Sequence, residues 1–202
     1  MNITFRHPTR LEIVHIQSWV QLFQEEKGLK LMDSLLIRPA RLNDIEGIRE
    51  VAVETWNSTY ETIYPEHFIA TYLTHAYAKS SLEQSITLDE AQSSRKFLVA
   101  EWEGEIVGFG QLSEPDEGVS ELTRLYILEE HQRKSIGKHL LNELIRQNPL
   151  IKEIYAWCER ENGIGTLFYK SNGFVYTEDK EEVLFDYRTM MVKFVKRIEV
   201  RQ

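Results

Sequence analysis

The residues best suited to chemistry lie in one run, Glu121-Leu-Thr-Arg-Leu-Tyr-Ile-Leu128 followed by Glu-Glu-His-Gln132-Arg-Lys-Ser135-Ile-Gly137-Lys-His-Leu-Leu141. The pattern predicts a strand over Val119–Leu128, and the spacing of Leu140, Leu141, Leu144 and Ile145 predicts an amphipathic helix over Gly137–Gln147. A strand that feeds a helix through a short loop leaves the first backbone N–H groups of the helix without partners. Such groups, at the positive end of the helix dipole, can hold an anion. Lys134, Lys138 and Arg133 add positive charge. Ser135 and Gly137 are small, which lets phosphate oxygens approach the backbone. The chemistry indicated is phosphate binding, although spacing alone is equally that of an ordinary helix N-terminus with basic residues on a solvated face.

Other chemistries lack their residues. The chain has 6 His but no His-Glu-x-x-His or comparable spacing, so no metal site is expected. Its single Cys, Cys158, excludes a disulfide framework, fits a reducing compartment, and on an apolar strand reads as buried rather than nucleophilic. Gly137-Lys138 lacks the upstream Gly and the Ser/Thr of a phosphate-binding P-loop, and Gly108-Phe-Gly110 lacks the third Gly of a dinucleotide fingerprint. A net charge of −8 argues against a nucleic-acid partner and makes cationic substrates reasonable. No run is long and apolar enough for a membrane helix, and Glu12, His15 and Gln17 interrupt any signal-peptide core. The expectation is a cytoplasmic protein without a membrane anchor.

The elements that must position these residues follow from periodicity. At 202 residues, with 42% hydrophobic and 28% charged, the chain holds one core with an appendage. Leu11, Val14, Ile16, Trp19, Val20, Leu22 and Phe23 predict an amphipathic helix over residues 11–27, stopped by Gly28, within an N-terminal extension of residues 1–33. Its apolar face needs cover from the domain or from a second copy of the chain, a homodimer. Met32 is an alternative start. The main domain, residues 34–202, opens with a strand at Leu35–Pro39 and a capping box at Asn43–Glu46 that begins a helix to about Trp56. Helices at Pro65–Tyr77 and Lys79–Leu88 follow. Strands at Phe97–Trp102 and Glu105–Leu112 flank a Glu103-Gly104 turn. After the central strand and helix come a strand at Lys152–Cys158, a helix at Asn162–Lys170 and strands near Phe174 and over Leu184–Val195. The order is α/β (α+β), with a mixed, mostly antiparallel sheet of about seven strands flanked by helices.

Gln132-Arg133-Lys134-Ser135-Ile136-Gly137 resembles the acetyl-CoA-binding motif of the GCN5-related N-acetyltransferase (GNAT) superfamily, Gln/Arg-x-x-Gly-x-Gly/Ala. Leu125-Tyr126-Ile127 before it and Lys138-His-Leu-Leu141 after it match as well. A second block, Asn162-Gly-Ile-Gly165-Thr-Leu-Phe168-Tyr169-Lys-Ser-Asn-Gly173-Phe174, resembles the family's Asn-x-x-Ala-x-x-Phe-Tyr-x-x-x-Gly-Phe signature. Both blocks in this order, on a strand–loop–helix and a later helix, make the resemblance specific over about Leu35 to Val195. Ser135 stands where the family usually has Gly.

The resemblance implies the GNAT fold and an enzyme that passes acetyl from acetyl-CoA to a primary amine by direct attack. Gln132, Arg133, Lys134, Ser135, Ile136, Gly137 and Lys138 would take the pyrophosphate. The backbone of Leu125, Tyr126 and Ile127 would pair with the pantetheine amides, and Asn162 would help hold that arm. Tyr169 matches the general acid: its phenol stays protonated at neutral pH and can protonate the leaving thiolate. Glu121 is the candidate base for the ammonium of the acceptor, and by alternation it shares a face with Thr123 and Leu125; a surface glutamate on a strand edge is an equal reading. Glu54-Thr-Trp56-Asn-Ser-Thr-Tyr60 with Glu66 is similar to a branch that includes Pai-type spermidine/spermine acetyltransferases. Aromatic rings with carboxylates can hold a cation, although Trp56 and Tyr60 at i and i+4 can equally pack in the core. The competing readings are a peptide or protein N-acetyltransferase and a non-catalytic acyl-CoA-binding sensor. Tyr169 favours an enzyme, because binding alone needs no acid beside the sulfur.

Overall fold

The computed structural model describes residues 35–185 and 187–199. The extension over residues 1–33, with its expected helix at 11–27, and Met32 lie outside the described residues. Strand β1 (Leu35–Pro39) leads through a short 3-10 turn at Leu42–Asp44 into helices α1 (Ile45–Tyr60), α2 (Glu66–Ala76) and α3 (Lys79–Glu90). Strands β2 (Phe97–Trp102), β3 (Glu105–Leu112) and β4 (Val119–Ile127) precede helix α4 (Ile136–Gln147), strand β5 (Glu153–Glu159) and helix α5 (Gly163–Ser171). The hairpin β6 (Val175–Leu184) and β7 (Tyr187–Arg197) follows. All strands join one seven-stranded sheet in the order β1-β2-β3-β4-β5-β7-β6. Among the strand registers described, only β4 with β5 is parallel. This is the mixed, mostly antiparallel architecture that the element order implied.

Local chemistry accounts for the boundaries. Glu103 and Gly104 both adopt positive φ, as a two-residue hairpin turn between right-twisted strands requires. Helix α1 buries Ile45, Ile48, Val51, Ala52, Thr55, Trp56 and Tyr60, an i, i+3, i+4 stripe. It continues a turn beyond the expected end at Trp56 because Tyr60 packs on Trp56 with ring centroids 4.4 Å apart. The capping box expected from Asn43 to Glu46 is replaced by one centred on Asp44. Its carboxylate accepts from the Arg41 N–H at 2.8 Å and from the Arg38 guanidinium at 2.7 and 2.8 Å. A bidentate arginine makes that carboxylate the stronger anchor. The last two strands also differ from the expected ones, since Leu184 ends β6 instead of opening β7. Strand β6 is the sheet edge and exposes most of Thr177–Glu182, so no apolar alternation marked it.

On one side of the sheet Ile48, Val51, Phe68, Leu82 and Ile86 pack with Phe97, Val99 and Phe109. On the other, Leu140, Leu141 and Leu144 of α4 are buried. Between these layers β4 carries the feature that shapes the site. Gln111 of β3 faces Arg124 while Leu112 faces Leu122, so β4 has one extra residue, Thr123, in a bulge. The bulge reverses the alternation. Glu121 lies on the face of Arg124 and Tyr126, which corrects the expectation that it shares a face with Leu125. Beyond Glu121 the pairing with β5 stops: Val119–Glu121 face Glu153–Tyr155, and no later residues do.

No described helix is long and apolar enough to cross a membrane. Gly108 lets β3 pass close to the end of β4, since a Cβ there would sit 2.5 Å from Ile127 Cδ1 and 2.7 Å from the Tyr126 carbonyl oxygen. The carbonyl cannot yield without breaking the ladder. Gly108→Ala should therefore lower the unfolding free energy by about 1–3 kcal/mol, read from urea denaturation with an unchanged slope.

Candidate active site

Where β4 and β5 part, a cleft of about 770 Å3 opens. Its walls are Leu122, Thr123, Leu125, Tyr126 and Ile127 of β4, Trp157 and Cys158 of β5, the loop into α4, one face of α5, and Thr55, Thr59 and Tyr60 of α1. That volume is in the range of small-molecule and cofactor sites. On the β5 side the backbone of β4 past Glu121 has no strand partner among the described residues, so an extended ligand bearing amides could pair with it.

At one end lies the loop into α4. The Gln132 side chain donates from Nε2 to the Ile127 carbonyl at 3.1 Å and ties the loop to the strand end. Arg133 and Ser135 adopt φ of 57° and 63°. A non-glycine residue in the left-handed region costs roughly 1–2 kcal/mol, which is a conformational reason for the glycine usual at the Ser135 position. Helix α4 has no side-chain cap and no acidic residue in its first turn. Among the described residues, the backbone N–H groups from Arg133 through Lys138 find no intramolecular acceptor. Consecutive free donors at a helix start form a cradle for an anion such as a pyrophosphate. Arg133, Ser135, Ile136, Gly137 and Lys138 line the cleft. Lys134 does not; its ammonium lies 5.3 Å from the Trp102 ring centroid. At Gly137 a Cβ would meet Phe168 Cε2 at 3.1 Å, so its small size serves the packing of α4 on α5.

Near the point where the strands part stands Tyr169. Its ring stacks on Phe194 with centroids 5.4 Å apart and meets Phe174 edge-on at 5.3 Å. Burial, with the nearby Cys158 and Glu121, holds its phenol well above the ordinary tyrosine value. Asn162 binds protein at both ends of its amide: Oδ1 accepts from the Gly165 N–H at 2.8 Å, capping α5, and Nδ2 donates to the Tyr60 hydroxyl at 3.2 Å. It thereby ties α1 to the helix that carries Tyr169. Cys158 is buried, and burial pushes its thiol up to about 11, so it stays neutral. Its Sγ fills the place of a side chain at Gly165, where a Cβ would lie 2.8 Å away. That explains why glycine replaces the alanine of the signature.

Glu121 is half-buried beside the cleft, not on its wall, and accepts from the Tyr155 hydroxyl at 3.2 Å. Burial and Glu121 together raise the Tyr155 phenol. Of the residues considered for substrate, Tyr60 lines the cleft. Trp56 is only 5% exposed, stacks on Tyr72 with centroids 4.0 Å apart, and does not line it. Glu66 is exposed in the first turn of α2, away from the cleft wall. Thr123, Thr59 and Trp157 also line the cleft; no motif marks them, since Thr123 and Trp157 reach it through the bulge and the parting of β4 from β5, and Thr59 through the packing of α1. Among the described residues no group of three or more His, Cys, Asp or Glu side chains is placed to hold a metal ion.

The sequence pattern of the Acetyltransferase (GNAT) family matches residues 50–174. A spermidine N(1)-acetyltransferase of Thermoplasma acidophilum is 35% identical over 143 residues, which are 70% of this chain and 88% of the relative. An uncharacterized N-acetyltransferase of Bacillus subtilis, YuaI, is 30% identical over 145 residues, 67% of this chain and 77% of the relative. In three dimensions the chain is similar to the crystal structure of the PaiA N-acetyltransferase from T. acidophilum in complex with coenzyme A, with a TM-score of 0.68 and 32% identity over 82% of this chain and 99% of the other. The parted strands, the uncapped helix start and these matched residues lead to one assignment: the chain belongs to the GNAT family of N-acetyltransferases.

Proposed function

We propose that this enzyme transfers acetyl from acetyl-CoA to a primary amine by direct attack, and that the amine is a small polyamine such as spermidine. The observation that carries the donor is the run of unpartnered N–H groups at the start of α4, at one end of a cleft that holds Tyr169 farther in. The matched spermidine acetyltransferase supports the acceptor.

Arg133, Ser135, Gly137 and Lys138 would receive the pyrophosphate on their backbone N–H groups, with the Arg133 and Lys138 side chains adding charge. Lys134, turned onto Trp102, is a weaker contributor. The backbone of Leu125, Tyr126 and Ile127 pairs with the amides of the pantetheine arm. The amine arrives as an ammonium and must lose a proton before it attacks. Glu121 is suited to accept it, directly or through water, because the bulge turns it to the face opposite α4. Tyr169 gives its phenolic proton to the departing sulfur and is kept protonated by burial. Asn162 acts by fixing Tyr60 and α5, since its side chain already has protein partners. Trp56 supports Tyr60 from the core side.

Acetyl-dependent release of CoA, compared across polyamines, aminoglycosides, amino acids and short peptides, tests the reaction and its acceptor. A preference for peptides would replace the polyamine reading and leave the chemistry intact. Ser135→Asp separates the anion cradle from general stability. A carboxylate at the helix start should leave the melting temperature equal or higher, because it meets the helix dipole favourably, yet calorimetry should show acetyl-CoA binding weakened by about tenfold or more. Tyr169→Phe should keep acetyl-CoA affinity and lower kcat by about 10²-fold, and Glu121→Gln should lower kcat by a similar factor most strongly below pH 8. With chemistry rate-limiting, the wild-type rate should climb from about pH 7 to 9 as the amine deprotonates. Tyr169, raised above its ordinary value, should impose no alkaline fall in that range.

A further inference from the structure

The face of the sheet that carries Glu121 continues from β5 across β7 to β6. Lys193 of β7 pairs with Trp157 of β5 on one side and with Glu178 of β6 on the other, so the three side chains form one row. The Lys193 ammonium lies 5.5 Å from the Trp157 ring centroid and 4.9 Å from that of Tyr155, and donates to Glu178 at 3.0 Å. A second lysine repeats the arrangement: Lys180 lies 4.2 Å from the Trp157 centroid and pairs with Glu182 at 3.2 Å. Trp157 itself lines the cleft, and the Tyr155 hydroxyl donates to Glu121. Two aromatic faces and a carboxylate, adjoining the candidate base, thus enclose an ammonium group that belongs to the protein itself.

We propose that Trp157, Tyr155 and Glu178 form a subsite for a second ammonium group of the acceptor, and that Lys193 fills this subsite until such a substrate displaces it. The inference rests on the proposed acetyl transfer to a polyamine and specifies how a second charge on that substrate is read. Aromatic faces backed by a carboxylate attract any ammonium, whether from a side chain or from a ligand. Exchange replaces one cation by another of the same kind, so the ring and carboxylate contacts are kept. Lys193 is 27% exposed and Glu178 is 56% exposed, so the pair is open to solvent and Lys193 can swing outward at small cost. Lys180 stays beside Trp157, paired with Glu182, whereas Lys193 occupies the Tyr155 face and the Glu178 carboxylate, so a substrate ammonium enters there only by displacing Lys193, which sets the threshold for binding. A monoamine, with no second charge, does not engage the subsite.

The test compares kcat/KM for spermidine with that for butylamine in the wild type, Lys193→Met and Glu178→Gln. Methionine keeps much of the apolar stem over Trp157, and Glu178 lies at the exposed sheet edge, so both variants should fold; circular dichroism and acetyl-CoA binding check this. Removing the internal competitor should raise the spermidine-to-butylamine ratio about fivefold, and removing the carboxylate should lower it by a similar factor. A ratio that stays flat in both variants overturns the subsite and leaves acetyl transfer standing. A ratio that falls in Lys193→Met overturns it too, and points to the lysine as a partner for an anionic part of the acceptor. If the wild type binds acetyl-CoA but acetylates neither amine, the polyamine reading fails and the subsite goes with it.

Discussion

The constraint on which the site depends is the interrupted pairing of the central parallel strands. β4 and β5 bond over Val119–Glu121 and Glu153–Tyr155 and then separate inside a sheet whose other strands remain joined. Unpaired backbone donors and acceptors in the middle of a sheet are costly unless water or a ligand satisfies them. Here they border a cleft, where they become a template for an extended molecule with amides of its own. The extra residue at Thr123 accompanies the parting of the strands. A bulge adds local twist and reverses alternation, so Leu125 faces α4 while Glu121 faces the other side. One inserted residue therefore decides which side chains of the strand share each face.

Around that opening, charge and burial are arranged by position. The start of α4 offers backbone donors with no acidic residue in the first turn to neutralise them. Deeper in, burial holds the phenol of Tyr169 and the thiol of Cys158 in their neutral forms, so the interior near the parting point offers a proton donor without adding charge. Carboxylates and ammonium groups lie on the face reached through Trp157, where Glu121, Glu178 and Lys193 sit near solvent. Backbone donors thus gather at one end of the cleft and side-chain charges on the far face of the sheet.

Rigidity comes from a few contacts that sequence motifs do not advertise. Asn162 caps α5 and holds the Tyr60 hydroxyl, so α1 and α5 keep a fixed relation across the cleft. Gly137 admits the Phe168 ring, and Gly165 admits the sulfur of Cys158. In each case a missing Cβ lets two elements approach, and the residue in the motif serves packing as much as ligand contact.

The sequence by itself determined the element order, the strand–loop–helix at Leu125–Lys138 and the helix with Tyr169, because local periodicity and turn chemistry act over a few residues. It also determined that the chain has the Gln132–Gly137 and Asn162–Phe174 blocks of an acetyltransferase. It misplaced the start of β7, because an edge strand exposed on most positions has no apolar alternation to read. It assigned Glu121 to the wrong face, because a bulge is visible only in the register with β3. It grouped Trp56 with Glu66, whereas side-chain packing buries one against Tyr72 and leaves the other in solvent. Only the tertiary structure decided that β4 and β5 part, and so that Thr123 and Trp157 line the cleft with Lys193 stacked behind. Those relations join residues far apart in the chain through pairing and packing, and no local pattern encodes them.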